Sequence, residues 1–290
     1  MTVADGATTG LVSVVIPNHD YARYVGDAID SVLRQTYEPV EVVVVDNGST
    51  DGSLDALARY RGRCRIIAQN DLGQSAARDR GIAESTGEFV AFLDADDAWR
   101  PQKLERQLRL FREHPDVALV YCSLEAADAQ LRPTGRIVRA VHRGEILDEF
   151  ARWPGRAIVV GGESTAVVRR SALDRVGTFD PSLSISGGWD LWRRIATHYP
   201  VELVEDPLAL YRQHGSALHR RLAAYEGDVR AASARMFADP AAARVHPFRR
   251  RYEAGLDLMF AKSWLRAGDV RRAAGLSVRS LMRRAVARAG

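Results

Sequence analysis

The sequence predicts an α/β protein with a Rossmann-like, mostly parallel sheet flanked by helices and a C-terminal helical extension. Short continuous apolar runs at 12–16 and 41–46 are typical of strands that a parallel sheet buries on both faces. A segment with apolar residues at helical spacing, 27–33, lies between them. This order of strand, helix and strand continues along the chain and favours a doubly wound sheet.

The other elements follow from the same patterns. Turn and capping residues at 48–51 precede a short helix. Weak periodicity predicts a variable loop at 132–156, and extended segments surround Pro207. Further strands are predicted at 65–68, 88–93, 117–121 and 164–168, and helices at 74–85, 104–111 and 189–198. After Ser216 the pattern is helical and includes a hairpin of helices at 252–267 and 270–287.

The composition is that of an ordinary globular protein, with 46% hydrophobic and 27% charged residues. No stretch approaches the ~20 apolar residues of a membrane-spanning helix, and residues 1–10 do not resemble a secretion signal. A cytoplasmic protein is therefore expected. Cys64 and Cys122 lack metal-ligand spacing and are predicted to be buried free thiols.

The basic charge belongs to the C-terminal tail. The net charge is +4, but residues 249–290 hold 11 basic and 3 acidic side chains, a balance of +8, which leaves about −4 for the rest. Apolar residues such as Leu256, Phe260 and Trp264 lie among these arginines. The tail is expected either to dock on the preceding domain or to make peripheral contact with an anionic membrane surface. Nucleic-acid binding rests on this basicity alone and is not predicted.

Three carboxylates follow the strand predicted at 88–93. Asp94, Asp96 and Asp97 would repel one another if they were left unpaired, so a cation is expected beside them. Hard oxygen ligands suit Mg²⁺ or Mn²⁺, which keep coordination positions for phosphate oxygens and water. The alternative is a helix-capping turn, because Asp97 precedes the helical segment that begins near Pro101.

Several motifs in a fixed order resemble those of family 2 glycosyltransferases. They lie at 12–18, 35–37, 46–51, 73–81, 93–97, 177–180, 189–192 and 211–214. The resemblance implies a GT-A fold and the transfer, with inversion, of a sugar from a nucleotide-sugar donor to a hydroxyl-bearing acceptor. It also implies four segments: a flexible N-terminus (1–10), a nucleotide-sugar-binding half (11–100), an acceptor-binding half (101–216) and a helical extension (217–290).

The resemblance assigns roles around the acidic motif Asp94-Ala95-Asp96. Asp94 is expected to meet the ribose and Asp96 the metal, either Mn²⁺ or Mg²⁺. His214 matches a histidine that approaches the metal or the diphosphate in many such enzymes, with a structural role as the alternative. Arg78 resembles an arginine that lines the donor pocket, and its alternative role is that of a surface or capping residue.

The nucleobase is expected against Pro17, Asn18 and His19, which follow the first strand. Asp46 and Asn47 stand where the family usually has two acids, the second of which accepts the N3–H of uracil. An amide can accept and also donate, so Asn47 leaves a UDP-sugar favoured while other bases become tolerable.

The general base is the least certain part of the pattern. The family usually carries an acid pair before the motif at 189–192, and Gly187 and Gly188 stand in its place. Asp190 is the candidate base because it is the nearest carboxylate, with a helix-anchoring role as the alternative, and Glu163 and Asp180 are reserves. Alternatively, the two glycines open the acceptor site for a bulky or unusual nucleophile, or the protein has lost its base.

Other functions stay open. A non-catalytic nucleotide-sugar-binding protein would explain the missing acid pair. A sugar nucleotidyltransferase should carry a glycine-rich, basic loop near the first strand, and residues 17–20 do not form one. Acceptors range from polysaccharide or glycolipid precursors to a secondary metabolite or a peptide.

Overall fold

A nine-stranded sheet forms the centre of the computed structural model, which describes residues 8–214 and 222–289. The strands are β1 (Thr8–Asn18), β2 (Val40–Asn47), β3 (Arg65–Gln69), β4 (Gly87–Phe92), β5 (Ala98–Trp99), β6 (Leu119–Ala127), β7 (Pro133–Val138), β8 (Val167–Arg169) and β9 (Val201–Arg212). Their order is β3-β2-β1-β4-β8-β6-β9-β5, with β7 paired to β6.

Helices flank this sheet. They are α1 (Val25–Leu33), α2 (Ser53–Ala58), α3 (Gln74–Ala83), α4 (Lys103–Glu113), α5 (Leu147–Arg152), α6 (Arg170–Val176), α7 (Gly187–His198), α8 (Leu222–Ala238), α9 (Arg249–Arg266) and α10 (Val270–Ala289). The described part of the chain also has 3-10 helices at Gly162–Thr165 and Pro240–Phe248. The α/β class and the helical extension predicted from the sequence are confirmed.

The first half of the sheet is parallel. β3, β2, β1 and β4 pair in the same direction. The strands predicted at 12–16 and 41–46 fall inside β1 and β2, and the one predicted at 88–93 overlaps β4 and extends one residue past its end. Antiparallel β8 then joins β4 to β6. Because parallel strands end at one edge, Asn18, Asp46 and the acidic loop after β4 meet at the same edge.

Two expectations for the second half were wrong. Residues 132–156 are not only loop, because they contain β7 and α5. β7 pairs through β6 alone and is mostly exposed, so it shows no apolar run, and α5 is too short for a clear helical period. The strand predicted at 164–168 begins only at Val167, since Ser164 belongs to a 3-10 helix.

The C-terminal helices dock on the sheet domain. Val229, Tyr252 and Phe260 share one hydrophobic cluster with Phe92 and Trp192. Docking, one of the two expectations for the tail, is therefore what the described helices do. No described helix is long and apolar enough to cross a membrane.

The two cysteines are free, as predicted. Cys122 is buried, whereas Cys64 is half-buried and so less enclosed than expected. Burial raises the pKa of each thiol to about 11, which keeps both protonated at neutral pH.

Lys103 is a buried cation at the start of α4. Its Nζ lies 3.9 Å from the centre of the Trp99 ring and has no hydrogen-bond partner among the described residues. Burial lowers the pKa of this amine from 10.5 to about 8. The ammonium form is therefore destabilised in the folded protein at neutral pH.

We predict that Lys103→Met raises the free energy of unfolding at pH 7, by at most ~3 kcal/mol, since each pKa unit corresponds to about 1.4 kcal/mol. Between pH 8 and about 10.5 unfolding takes up a proton at Lys103, so the cost of burying this amine falls as the pH rises over that interval. Urea denaturation should show a smaller difference in the free energy of unfolding between Lys103→Met and the wild type at pH 10 than at pH 7. An advantage that is the same at both pH values would contradict the role given to the buried charge.

Candidate active site

The acidic loop after β4 is the centre of the site. One carboxylate oxygen from each of Asp94, Asp96 and Asp97 lies within 4.8 Å of the others. The side chains of Asp94 and Asp96 are 26% and 21% exposed, whereas Asp97 is buried. Ala95 is buried between them. The two outer carboxylates are thus the ones that a ligand can reach.

Asp97 is held by protein groups. Its Oδ2 accepts a hydrogen bond from the Ser164 hydroxyl at 2.7 Å, and its Oδ1 accepts one from the backbone N–H of Arg212 at 3.0 Å. Burial, together with the charges of Asp96 and Asp94, raises the pKa of Asp97 well above its usual range. Asp97 therefore shapes the loop rather than facing a ligand.

Repulsion within the loop also affects Asp96. Burial and the charge of Asp94 raise the pKa of Asp96, while His214 opposes this shift. A cation beside these oxygens would relieve the repulsion, and a set of carboxylate donors matches a hard divalent ion. The residues present therefore fit Mg²⁺ or Mn²⁺.

Arg212, the last residue of β9, and His214, two residues further on, close the site. The Nε2 of His214 lies 2.8 Å from the Oδ2 of Asp96. Buried Arg212 donates from Nε to the backbone carbonyl of Asp96 at 2.6 Å and from Nη2 to Asp27 at 2.8 Å. Its guanidinium also stacks over the Tyr24 ring at 4.4 Å. The sequence pointed to His214, but it gave Arg212 no role beyond its place in a motif.

The ends of β1 and β2 form the neighbouring part of the edge. The buried amide of Asn18 donates to Asp46 at 3.0 Å and to the Ser49 hydroxyl at 3.1 Å. Its Oδ1 has no partner among the described residues. Pro17 pairs in register with Val45. The half-exposed ring of His19 makes a hydrogen bond of 2.8 Å between its Nδ1 and the backbone carbonyl of Asn47.

Asn47 is engaged by the protein itself. Its Nδ2 donates to Asp71 at 2.7 Å, and its Oδ1 accepts from Gln69 at 2.7 Å and from the backbone N–H of Leu72 at 3.1 Å. Asn47 therefore positions the loop before α3 and brings the exposed carboxylate of Asp71 beside it. Sequence reasoning missed Asp71, although its place between β3 and the glycine that starts α3 was a signal.

Arg78 connects the acidic loop to a second carboxylate. From α3, its Nη2 donates to Asp94 at 2.7 Å, and its Nη1 lies 3.3 Å from Glu163. Burial alone would lower the pKa of this guanidinium, but the charges of Glu163 and Asp94 outweigh burial and raise it. Arg78 is thus a permanent buried cation rather than a surface residue.

Asp190 lies apart from these groups. Its buried carboxylate accepts from Arg193 at 3.0 Å and from Arg194 at 2.8 Å, so both oxygens are engaged in ion pairs on α7. This arrangement corresponds to the helix-anchoring alternative and does not favour Asp190 as the base. Asp180, a reserve, is half-buried and caps its own turn through Ser182.

Much of the sheet domain matches the model of a known protein family. The model described as "Glycosyl transferase family 2" matches residues 13–177, which is more than half of the chain. An uncharacterized glycosyltransferase of Nostoc sp., alr2836, is 34% identical over 77% of this chain and 70% of its own length. The chain belongs to glycosyltransferase family 2 and is a transferase. It spans 64% of a similar uncharacterized glycosyltransferase of Rickettsia typhi, and so corresponds to only part of some relatives.

Solved structures agree on the fold. S. aureus TarS 1–349, in complex with UDP-GlcNAc, has a TM-score of 0.65 at 17% identity, over 83% of this chain and 71% of that one. The mannosyltransferase PcManGT of Pyrobaculum calidifontis, in complex with GDP-Man and Mn²⁺, has a TM-score of 0.59 at 18% identity, over 95% and 82%. At these identities the likeness shows the GT-A fold alone.

The ion pairs of Asp190 lead to a stability prediction. Asp190→Asn should lower the free energy of unfolding by roughly 3 kcal/mol, because Arg193 and Arg194 would lose a buried counter-charge. Chemical denaturation measures this, and Asp174→Asn on the exposed surface of α6 is the matched control. An Asp190→Asn protein that is as stable as the wild type but transfers no sugar would instead assign the base role to Asp190.

Proposed function

We propose that the protein transfers a sugar, with inversion, from a UDP-sugar to a hydroxyl acceptor, assisted by Mn²⁺ or Mg²⁺ held at Asp96. The observation that carries this proposal is the carboxylate cluster at the sheet edge, with Arg78 on Asp94 and His214 on Asp96. Residues 11–100 would form the donor half and residues 101–216 the acceptor half.

Each donor-site residue would have a separate task. Asp94, oriented by Arg78, would accept hydrogen bonds from the ribose hydroxyls. Asp96 and His214 would hold the metal, which when bound supplies Lewis-acid stabilisation of the departing diphosphate. The structure of the similar PcManGT with Mn²⁺ supports a divalent ion.

The nucleobase would lie between Pro17, Asn18 and His19 at the ends of β1 and β2. The Oδ1 of Asn18, which has no partner within residues 8–214 and 222–289, and the carboxylate of Asp71 are acceptors at this edge, which suits the N3–H of uracil. The complex of the similar TarS with UDP-GlcNAc supports a UDP-sugar. The complex of PcManGT with GDP-Man makes a guanine nucleotide the competing donor.

Substitution at Asp96 tests the metal-assisted reaction. We predict that Asp96→Ala abolishes Mn²⁺-dependent release of UDP from a panel of UDP-sugars, because the site loses the carboxylate proposed to bind the metal. A coupled UDP-release assay measures this, with and without EDTA. Asp55→Ala, which removes an exposed carboxylate from α2, should keep wild-type activity. Undiminished turnover of Asp96→Ala would refute the assignment.

We also propose that α10 contacts an anionic membrane surface. Val278, Leu281 and Met282 follow helical spacing on one face and are 49%, 66% and 63% exposed. The helix Val270–Ala289 carries six arginines and no acidic residue. An apolar stripe with cationic neighbours fits anionic lipid headgroups better than it fits water or a neutral surface.

Vesicle flotation tests this contact. The wild type should float with vesicles of phosphatidylcholine and phosphatidylglycerol but not with phosphatidylcholine alone, since arginines supply part of the attraction. Leu281→Glu with Met282→Glu should abolish flotation, whereas Leu54→Glu, at an exposed apolar position on α2, should not. Flotation that ignores lipid charge, or survives the double substitution, would contradict the proposal.

A further inference from the structure

A cavity lies between the first turn of α7, the 3-10 helix Gly162–Thr165 and α8. Its volume is about 160 Å³, and Ile158, Trp189, Tyr225 and Val229 contribute apolar walls. Glu163 lines it at the side of the acidic loop. A cavity of this size can accommodate one six-membered ring.

Glu163 lies where the chain lacks the acid pair expected before α7. A Cβ placed on Gly188 would lie 2.4 Å from the Oε1 of Glu163 and 2.8 Å from its Cδ. The absence of a side chain at Gly188 therefore gives this carboxylate its place. Gly188 is in the first turn of α7, where backbone N–H groups and the helix dipole favour an anion.

The same carboxylate borders the proposed donor site. Its side chain is 12% exposed, and it lies 3.3 Å from the Nη1 of Arg78, which binds Asp94 through Nη2. Burial raises the pKa of Glu163 and Asp94 adds to the shift, while Arg78 opposes it. A carboxylate that is more basic than usual is a better proton acceptor.

Two donors in the cavity wall lack a partner. The indole nitrogens Nε1 of Trp189 and Trp192 are buried, and neither makes a hydrogen bond within residues 8–214 and 222–289. The Nε1 of Trp192 would be 3.3 Å from a Cβ on Gly188, so it points to the same place as Glu163. Buried polar groups normally have hydrogen-bond partners, which indicates that a ligand oxygen accepts a hydrogen bond from these indole N–H groups.

We propose that this cavity binds the acceptor, a hydroxyl-bearing ring with an apolar face, and that Glu163 is the general base for its hydroxyl. The inference rests on the proposed function and assigns its acceptor side. Glu163 would thus supply from the 3-10 helix the carboxylate that Gly187 and Gly188 lack.

The transfer step involves the Glu163 carboxylate, the acceptor hydroxyl and the nucleotide-sugar donor. An Oε of Glu163 takes the hydroxyl proton as the acceptor oxygen forms a bond to the anomeric carbon of the donor sugar. The bond from that carbon to the diphosphate oxygen breaks, and the nucleoside diphosphate leaves with the electron pair. The indole N–H groups would orient ring oxygens of the acceptor.

Replacement of Glu163 tests the base. Glu163→Gln keeps the shape beside Arg78, so UDP binding measured by calorimetry should change by no more than a few-fold. Transfer from the UDP-sugar that the wild type uses to 4-nitrophenyl β-glucoside should fall by roughly 10²- to 10⁴-fold, as for loss of a general base. Wild-type transfer by Glu163→Gln would overturn the proposal.

A relocated carboxylate separates catalysis from structure. Glu163→Ala combined with Gly188→Asp returns an acid from α7 to the vacated place, whereas Glu163→Ala with Gly188→Ala does not. The first double variant should transfer on the order of tenfold faster than the second, with equal binding of UDP. Equal transfer rates would assign Glu163 a structural role and overturn the inference.

Binding of the acceptor is measured without turnover. The nitrophenyl group of 4-nitrophenyl β-glucoside should quench the fluorescence of Trp189 and Trp192 to saturation. Val229→Phe, which fills the cavity, should weaken this binding by about tenfold or more, and Val141→Phe, at an exposed position outside the cavity, should not. If the wild type turns over no donor, the proposed function fails. Quenching that Val229→Phe leaves intact refutes the cavity.

Discussion

The crowding of three carboxylates at the end of β4 is the constraint on which the site depends. Like charges this close raise one another's pKa and destabilise the loop unless each finds a partner. Asp94 has Arg78, Asp96 has His214, and Asp97 has the Ser164 hydroxyl and the Arg212 backbone. Three segments that are distant in sequence therefore contact the acidic loop. They are α3, the 3-10 helix Gly162–Thr165 and the end of β9.

Arg212 links this arrangement to the rest of the domain. Its buried guanidinium bonds the carbonyl of Asp96, the carboxylate of Asp27 and the carbonyl of Ala129, and it lies over the Tyr24 ring. The planar fork of an arginine can serve all of these groups at once, which a lysine cannot. The position of the acidic loop thus depends on the first helix as well as on the last strand.

The proposed acceptor side depends on the glycine at 188, which has no side chain, and on a carboxylate that another segment supplies. Gly188 leaves space that Glu163 occupies, and the docked helix α8 closes the cavity beside it. The C-terminal helices are therefore part of the site's architecture as well as of its stability. The outer face of α10 is apolar and basic, and within the described protein it is exposed.

Much of the fold followed from simple patterns. The runs at 12–16 and 41–46 lie within β1 and β2, because a strand buried on both faces needs a continuous apolar sequence. The sequence does not predict β7, because an exposed edge strand needs no continuous apolar run. The strand predicted at 164–168 overlaps the 3-10 helix Gly162–Thr165, because the small and β-branched residues at 164 and 165 do not reveal the turn at Gly161 and Gly162.

The sequence by itself determined the family, the α/β class and the position of the acidic motif, because these depend on local periodicity and on motifs within short segments. Only the tertiary structure decided what each carboxylate contacts. In the folded protein Asp190 forms ion pairs with Arg193 and Arg194, and the amide of Asn47 donates to Asp71. Glu163 lies beside Gly188. These contacts join residues from separate elements, and their energies arise from burial and charge that no linear pattern records.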